Sequence, residues 1–208
     1  MRADALHRLN DAGRRALAAH GIRTIIDMRA AAEAAEQPDA LGAHDGVVYL
    51  NLTQQTDEAS TLAGTTASRI EFNVTILEGC RPNFAAIALA IADARPGGIV
   101  VHCAAGKDRT GLLTALVLDL AGTTADEIGA DYALTEGALA PLFDELIARA
   151  ETDERRTQLE RERRCPPETV LATLEHVRRR YGGSERYLLG CGVGAAALER
   201  IRARMVEA

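Results

Sequence analysis

The 208-residue chain has no tryptophan and only 3% aromatic residues, so it lacks the ring platforms on which single-stranded nucleic acids stack. It also lacks an excess of positive charge. The formal net charge is −6, which argues against a general nucleic-acid surface or an anionic-membrane surface. No apolar run reaches membrane-spanning length, and the opening MRADALHRL has no apolar signal core. Stable membrane insertion is therefore not expected. The cytoplasm is the expected location, with export by a signal-free route left open. No two of the four cysteines, Cys80, Cys103, Cys165 and Cys191, stand at the short spacing of a zinc or redox motif. Neither a metal nor a disulfide framework is expected, and no cofactor is implied.

What remains is an ordinary globular composition, 47% hydrophobic and 26% charged, long enough to bury a core without staples. Residues 3–20 read as a helix stopped by Gly21. RTIIDMR (23–29), GVVYLNL (46–52) and GGIVVHC (97–103) read as strands, the last being the most apolar and so expected in the middle of a sheet. Residues 53–68 are polar and turn-rich and read as a surface loop, whereas 70–79 and 82–95 look helical. After residue 109 the pattern is nearly all helix. Thr124 and Glu127 have capping-box spacing, Pro166 and Pro167 break the chain, Gly182–Gly183 stop a helix, and Ser184 could cap the next. The doubly charged run 151–164 reads as a solvated helix face, or else as a partner-docking helix or part of a mobile helical lid over 135–165. The expectation is one α/β domain over 1–208: a mostly parallel sheet of four or five strands flanked by helices, with a helical C-terminal half.

The segment HCAAGKDRTG (102–111) carries the chemistry. A buried strand ends at a cysteine, a turn follows, and a helix begins near Arg109. Gly106 and Gly111 permit close backbone approach, and such a turn aims N–H groups inward as an anion nest at a helix N-terminus. The same field stabilises a thiolate, so Cys103 should be nucleophilic near neutrality. Arg109 offers a planar fork suited to two phosphoryl oxygens. A purely structural cysteine would leave Lys107, Asp108 and Arg109 crowded at the turn without purpose.

His102, Cys103, five intervening residues, Arg109 and Thr110 resemble the signature of the cysteine-dependent protein tyrosine phosphatases. The GKDRTG form is similar to the atypical bacterial and fungal subgroup, which acts on phosphotyrosine, phosphoserine or phosphothreonine, and phosphoinositides. RADAL, GIRTIIDMR with Glu33, ADYALT (130–135) and YGGSERYLL (181–189) resemble further blocks of that subgroup, so the likeness covers nearly the whole chain. It implies Cys103 as nucleophile, Arg109 as phosphate clamp, and backbone amides from Ala104, Ala105, Gly106, Lys107 and Asp108 around the phosphate. It implies that Thr110 hydrogen-bonds the thiolate. His102 would tune Cys103, or be simply a buried histidine. Lys107 would meet a second phosphate, or be a solvated rim charge. The subgroup carries a further N-terminal segment before the RADAL block, where this chain begins, so the chain is expected to be naturally short or to lack that segment.

The proton donor is less determined. Conventional members place an aspartate well before the cysteine, near position 73, where this chain has Asn73 with Glu71 nearby. Asp108 is the first candidate, Asp27 at a strand end the second, with an ion pair to Arg29 or a helix cap as its alternative role, and Asp57 the third. The expected activity is phosphomonoester hydrolysis through a cysteinyl-phosphate, most directly on protein phosphotyrosine. The substrate would be a phosphorylated protein or lipid, and phosphate the product. The alternatives are a non-catalytic phospho-ligand-binding module, a sulfurtransferase or an arsenate reductase.

Overall fold

The computed structural model describes residues 1–39 and 46–206. Four parallel strands, β1 (Arg2–Ala3), β2 (Ile22–Asp27), β3 (Val48–Asn51) and β4 (Gly98–His102), pair in the order β1-β4-β2-β3. β2 and β4 are interior. The register sets Asp27 opposite both His102 and Asn51, and Ala3 opposite His102. All four strands thus end in one row, and the segments that leave their carboxyl ends share one rim of the sheet.

The sheet is apolar on both faces because both are covered. Leu6, Ile22, Ile25 and Val100 pack on one side with Leu9 and Leu17, the latter from α1 (Asp11–Ala19). The larger cluster lies on the other side and includes Ile26, Met28, Phe84, Leu113, Leu116 and Tyr187. Helix α2 (Ala31–Glu36) follows β2, and α3 (Asp57–Ala63), α4 (Arg69–Gly79) and α5 (Arg81–Asp93) lie between β3 and β4. In α5, Phe84, Ile87, Ala88 and Ile91 recur at helical spacing and are buried. Helix α6 (Asp108–Leu120) buries Leu112, Leu113, Leu116 and Leu120 in the same manner.

The C-terminal half is helical throughout: α7 (Ala125–Ala138), α8 (Ala140–Ala148), α9 (Asp153–Arg163), α10 (Pro167–Tyr181), α11 (Ser184–Gly190) and α12 (Ala195–Val206). The Thr124–Glu127 capping box opens α7. The charged run forms α9, but one side of it is not solvated. Leu159 is buried with Leu139 and Phe143, and Ala105 packs against that cluster. Among the described residues no single helix is long and apolar enough to cross a membrane.

Three local expectations give way. The helix over 3–20 is divided: Arg2–Ala3 pair with Val101 and His102, Leu6–Arg8 form a single 3-10 turn, and the Asn10 side chain accepts from Gly13 N at 3.0 Å to start α1. A competent cap at Asn10 starts a fresh helix there. The polar segment 53–68 contains α3, capped by Thr56, whose buried face is made only of Ala59 and Ala63. Small residues leave little periodic hydrophobicity to read. Ser184 does not cap α11; it is the helix's first residue, after Gly183 at φ +119°.

Gly111 provides a test of the packing between α6 and α7. A Cβ there would lie 2.7 Å from Tyr132 Cε2, although the residue sits in an ordinary helical turn. Gly→Ala inside a helix usually stabilises by about 1 kcal/mol. Here Gly111→Ala should instead lower stability by about 1–3 kcal/mol through overpacking, measured by urea unfolding.

Candidate active site

The loop between β4 and α6 is shaped from outside by the amino-terminal segment. Gly106 has φ +64°, and a Cβ on it would lie 2.4 Å from Ala3 O, so only glycine fits. Ala5 N donates to Ala104 O at 3.0 Å, and Arg2 Nη2 approaches Gly106 O at 3.4 Å. In a planar trans peptide the N–H points opposite to the C=O. Carbonyls 104 and 106 are drawn outward, so the amides of Ala105 and Lys107 face the other way, into the turn. Met28 N donates to His102 O at 2.9 Å and ties the last residue of β4, just before the loop, to the end of β2.

Cys103 opens the loop and is only 3% exposed. Arg109, in the first turn of α6, is gripped by Glu33 through Nη1–Oε2 at 2.7 Å and Nη2–Oε1 at 2.9 Å. Glu33 takes the terminal edge of the guanidinium, which leaves the Nε edge available to an oxyanion. Burial works against the Arg109 charge, but Glu33 and Cys103 more than offset it and hold the group above its ordinary value. Glu33 is held below the usual carboxylate range, chiefly by Arg109, and also accepts from Ala30 N at 2.9 Å. Gln54 is fully buried and donates through Nε2 to Arg109 O at 2.7 Å. The Thr110 hydroxyl is buried and has no hydrogen-bond partner among the described residues.

Beneath the loop lies a buried polar floor. Asp27 receives Arg29 Nη2 at 2.7 Å, Arg29 Nε at 3.0 Å to each oxygen, Arg29 N at 2.9 Å and Tyr49 OH at 2.7 Å. Burial would raise its pKa, but Arg29, Tyr49 and His102 together bring it below the ordinary value. An acid must hold its proton until transfer, and this carboxylate is kept ionised and fully partnered. Of its expected roles, the geometry shows that of ion-pair partner to Arg29 and is unfavourable to that of proton donor. His102 is fully buried: Nδ1 is 3.2 Å from Cys103 O and 3.8 Å from Asp27 Oδ1, and Nε2 is 3.1 Å from Asp39 Oδ2.

On the opposite side, Asp108 Oδ1 is 3.5 Å from Arg69 Nε, an ion contact too long for a strong hydrogen bond. Lys107 is neither in position for a second phosphate nor a solvated rim charge: it is 5% exposed, and its Nζ donates to Glu162 O in α9. Cys165 lies close by, its thiol pushed up to about 11 by burial and by Asp108 and Glu136, against the pull of Lys107. The alternative acids are not brought in. Asn73 is buried in α4 and donates to Thr173 at 3.4 Å, Glu71 accepts from Ala67 N at 2.9 Å, and Asp57 is exposed in the first turn of α3. Sequence reasoning missed Gln54, Arg69 and Asp39. Glu33 was singled out, but only as part of a recurring block.

The site is thus a strand-loop-helix cradle with a buried cysteine at its start and a clamped arginine at its end. The family model described as "Tyrosine phosphatase family" matches residues 1–207. The chain belongs to that family. It is 34% identical over 218 residues to a protein of Nostoc commune named tyrosine-protein phosphatase, covering 98% of this chain and 72% of the relative. It is 25% identical over 245 residues to the triple specificity protein phosphatase PtpB of Mycobacterium tuberculosis, covering 97% of this chain and 88% of that one. As a tyrosine phosphatase family member the chain is a phosphatase, and such an enzyme acts on phosphorylated substrates and yields phosphate.

The Asp27 assignment can be checked by stability. Asp27→Asn leaves Arg29 buried without its counter-ion and should cost about 3–5 kcal/mol in urea unfolding near neutral pH. The folded pKa is depressed, so the native charge stabilises above the ordinary carboxylate value of about 4 and its contribution is lost as pH falls below that. The gap between wild type and variant should therefore narrow on acidification. A gap that is small at neutral pH, or that widens in acid, contradicts the assignment.

Proposed function

We propose that the protein hydrolyses phosphomonoesters through a cysteinyl-phosphate on Cys103, with protein phosphotyrosine as its main substrate class. The observation that carries this reading is the Glu33–Arg109 clamp, which presents one edge of a guanidinium beside Cys103. In the first step the Cys103 thiolate forms a bond to phosphorus and the bond from phosphorus to the leaving oxygen breaks. The leaving oxygen takes a proton from Asp108. The amides of the turn, from Ala104 to Asp108, and the Nε edge of Arg109 bind the equatorial oxygens where charge gathers. In the second step water attacks phosphorus and gives its proton to the Asp108 carboxylate. The sulfur–phosphorus bond then breaks, the thiolate returns and inorganic phosphate departs. Thr110, whose buried hydroxyl is otherwise unused, donates to the sulfur as it leaves.

His102 acts through Cys103: its ring, wedged between Asp39 and Asp27, fixes the carbonyl of the nucleophilic residue. We read the whole chain as one catalytic domain in which α8 and α9 cover the loop, supported by Leu159 packing near Ala105 and by the Lys107–Glu162 contact. The resemblance described above takes in phosphoserine, phosphothreonine and phosphoinositides, and the triple-specificity name of one relative favours testing those classes beside phosphotyrosine.

Cys103→Ser should bring para-nitrophenyl phosphate turnover to background while inorganic phosphate still binds, because a serine hydroxyl is a poor nucleophile without a base. Turnover near the native rate would overturn the mechanism. Asp108→Asn should slow phenyl-type esters with basic leaving groups by about 10²–10⁴-fold and barely affect esters whose leaving group needs no proton. Equal loss across both kinds of ester would mean that Asp108 orders the loop instead.

A further inference from the structure

The cation nearest in sequence to the nucleophile is not free for substrate, and one remote in sequence is. Lys107 is buried, its ammonium spent on the carbonyl of Glu162. Arg69, at the first position of α4, reaches the other side of the loop and meets Asp108 at 3.5 Å. Its side chain is 40% exposed, and its guanidinium carbon stands 5.0 Å from the centroid of the Phe72 ring, which holds the planar group in place. Asp108 is its only salt-bridge partner among the described residues, at a distance beyond strong hydrogen bonding, and Arg69 makes no hydrogen bond among them. An arginine carries five donors. This one is therefore oriented by an aromatic ring, half open to solvent, next to the residue that precedes the phosphate clamp, and with its donors unused.

We propose that Arg69, and not Lys107, forms a second anion subsite at the lip of the loop, so that the enzyme favours phosphotyrosine peptides carrying a carboxylate beside the phosphorylated residue. The substrate carboxylate would exchange with Asp108 as the partner of Arg69. Asp108 would then lose its counter-ion when an acidic substrate is seated, which suits its assigned task of delivering a proton. The peptide reading is favoured over a second phosphate because the subsite holds one accessible guanidinium, with the neighbouring lysine withdrawn. This inference rests on the assignment of Cys103 and Arg109 in the preceding section.

The test compares kcat/KM for two phosphotyrosine peptides that differ only in flanking Glu or Gln, at low ionic strength, in wild type, Arg69→Gln and Arg69→Lys. The wild-type ratio of Glu to Gln peptide should be roughly two- to five-fold, the size expected of a single partly exposed ion pair. It should fall to about one in Arg69→Gln, be partly kept in Arg69→Lys, and diminish in wild type as salt is added. The ratio cancels any general loss of activity or folded fraction in a variant. A wild-type ratio of one overturns the proposal, as does a ratio unchanged in Arg69→Gln. A preference for a bisphosphate over a monophosphate substrate that is lost with Arg69 while the peptide ratio is flat would also overturn it, in favour of a second phosphate. Failure of the underlying mechanism would appear separately, as turnover surviving Cys103→Ser.

Discussion

The Asp27–Arg29 ion pair has both members essentially sealed from solvent, and the ends of three strands converge on it. Tyr49 from β3 and His102 from β4 face the Asp27 carboxylate, Arg29 Nη1 reaches Gln37 O at 3.0 Å, and Asn51 Nδ2 binds both Asp27 O and Arg29 O. Desolvating two charges is costly, and such a pair is seldom a net source of stability. Its value lies in direction: the pair is local to one segment, and Tyr49 from β3, Asn51 from β3 and His102 from β4 must each meet it, which ties the three strand ends together. The position of His102, and with it Cys103, is therefore set from below by charge geometry and not by packing alone.

Above that floor, the basic residues of the site are each given a different neighbour. Arg109 is aligned by the Glu33 carboxylate from the first turn after β2. Lys107 is withdrawn into a carbonyl contact with α9. Arg69 is stacked on a ring and only loosely paired. The three cations are thereby held apart from one another around the loop. Glu33 arrives from α2 on the β2–β3 connection, and Gln54 and Arg69 both arrive from the β3–β4 connection, so two crossovers meet one loop at the carboxyl rim of the sheet.

How much of this could be read in advance follows from how local each signal is. The strand, turn and helix around Cys103 are written in consecutive residues, and the apolar runs 23–29 and 97–103 read as strands, the second as a central one. β1 could not be read, because two residues carry no period and its pairing is with residues about a hundred positions away. Helix α3 was hidden by its alanine face. The ion pair of Asp27 is one of several roles its sequence position allows, and the convergence of Arg29, Tyr49 and His102 on it is visible only in three dimensions. Gln54 and Arg69 look like ordinary polar residues in sequence; a buried amide and a ring-stacked guanidinium exist only once the chain is folded.

The seating of Ala3 against Gly106 has a consequence for the order in which the protein acquires its shape. The turn has its native form only when β1 lies beside β4, which joins the first residues of the chain to positions 101 and 102. Closing so long a segment carries a large entropic cost and tends to come late relative to local helix formation. The turn that carries Cys103 is thus among the last features to form. Until β1 docks, Cys103 sits on a turn without its native shape, so a partly folded chain exposes a cysteine but not the finished loop around it.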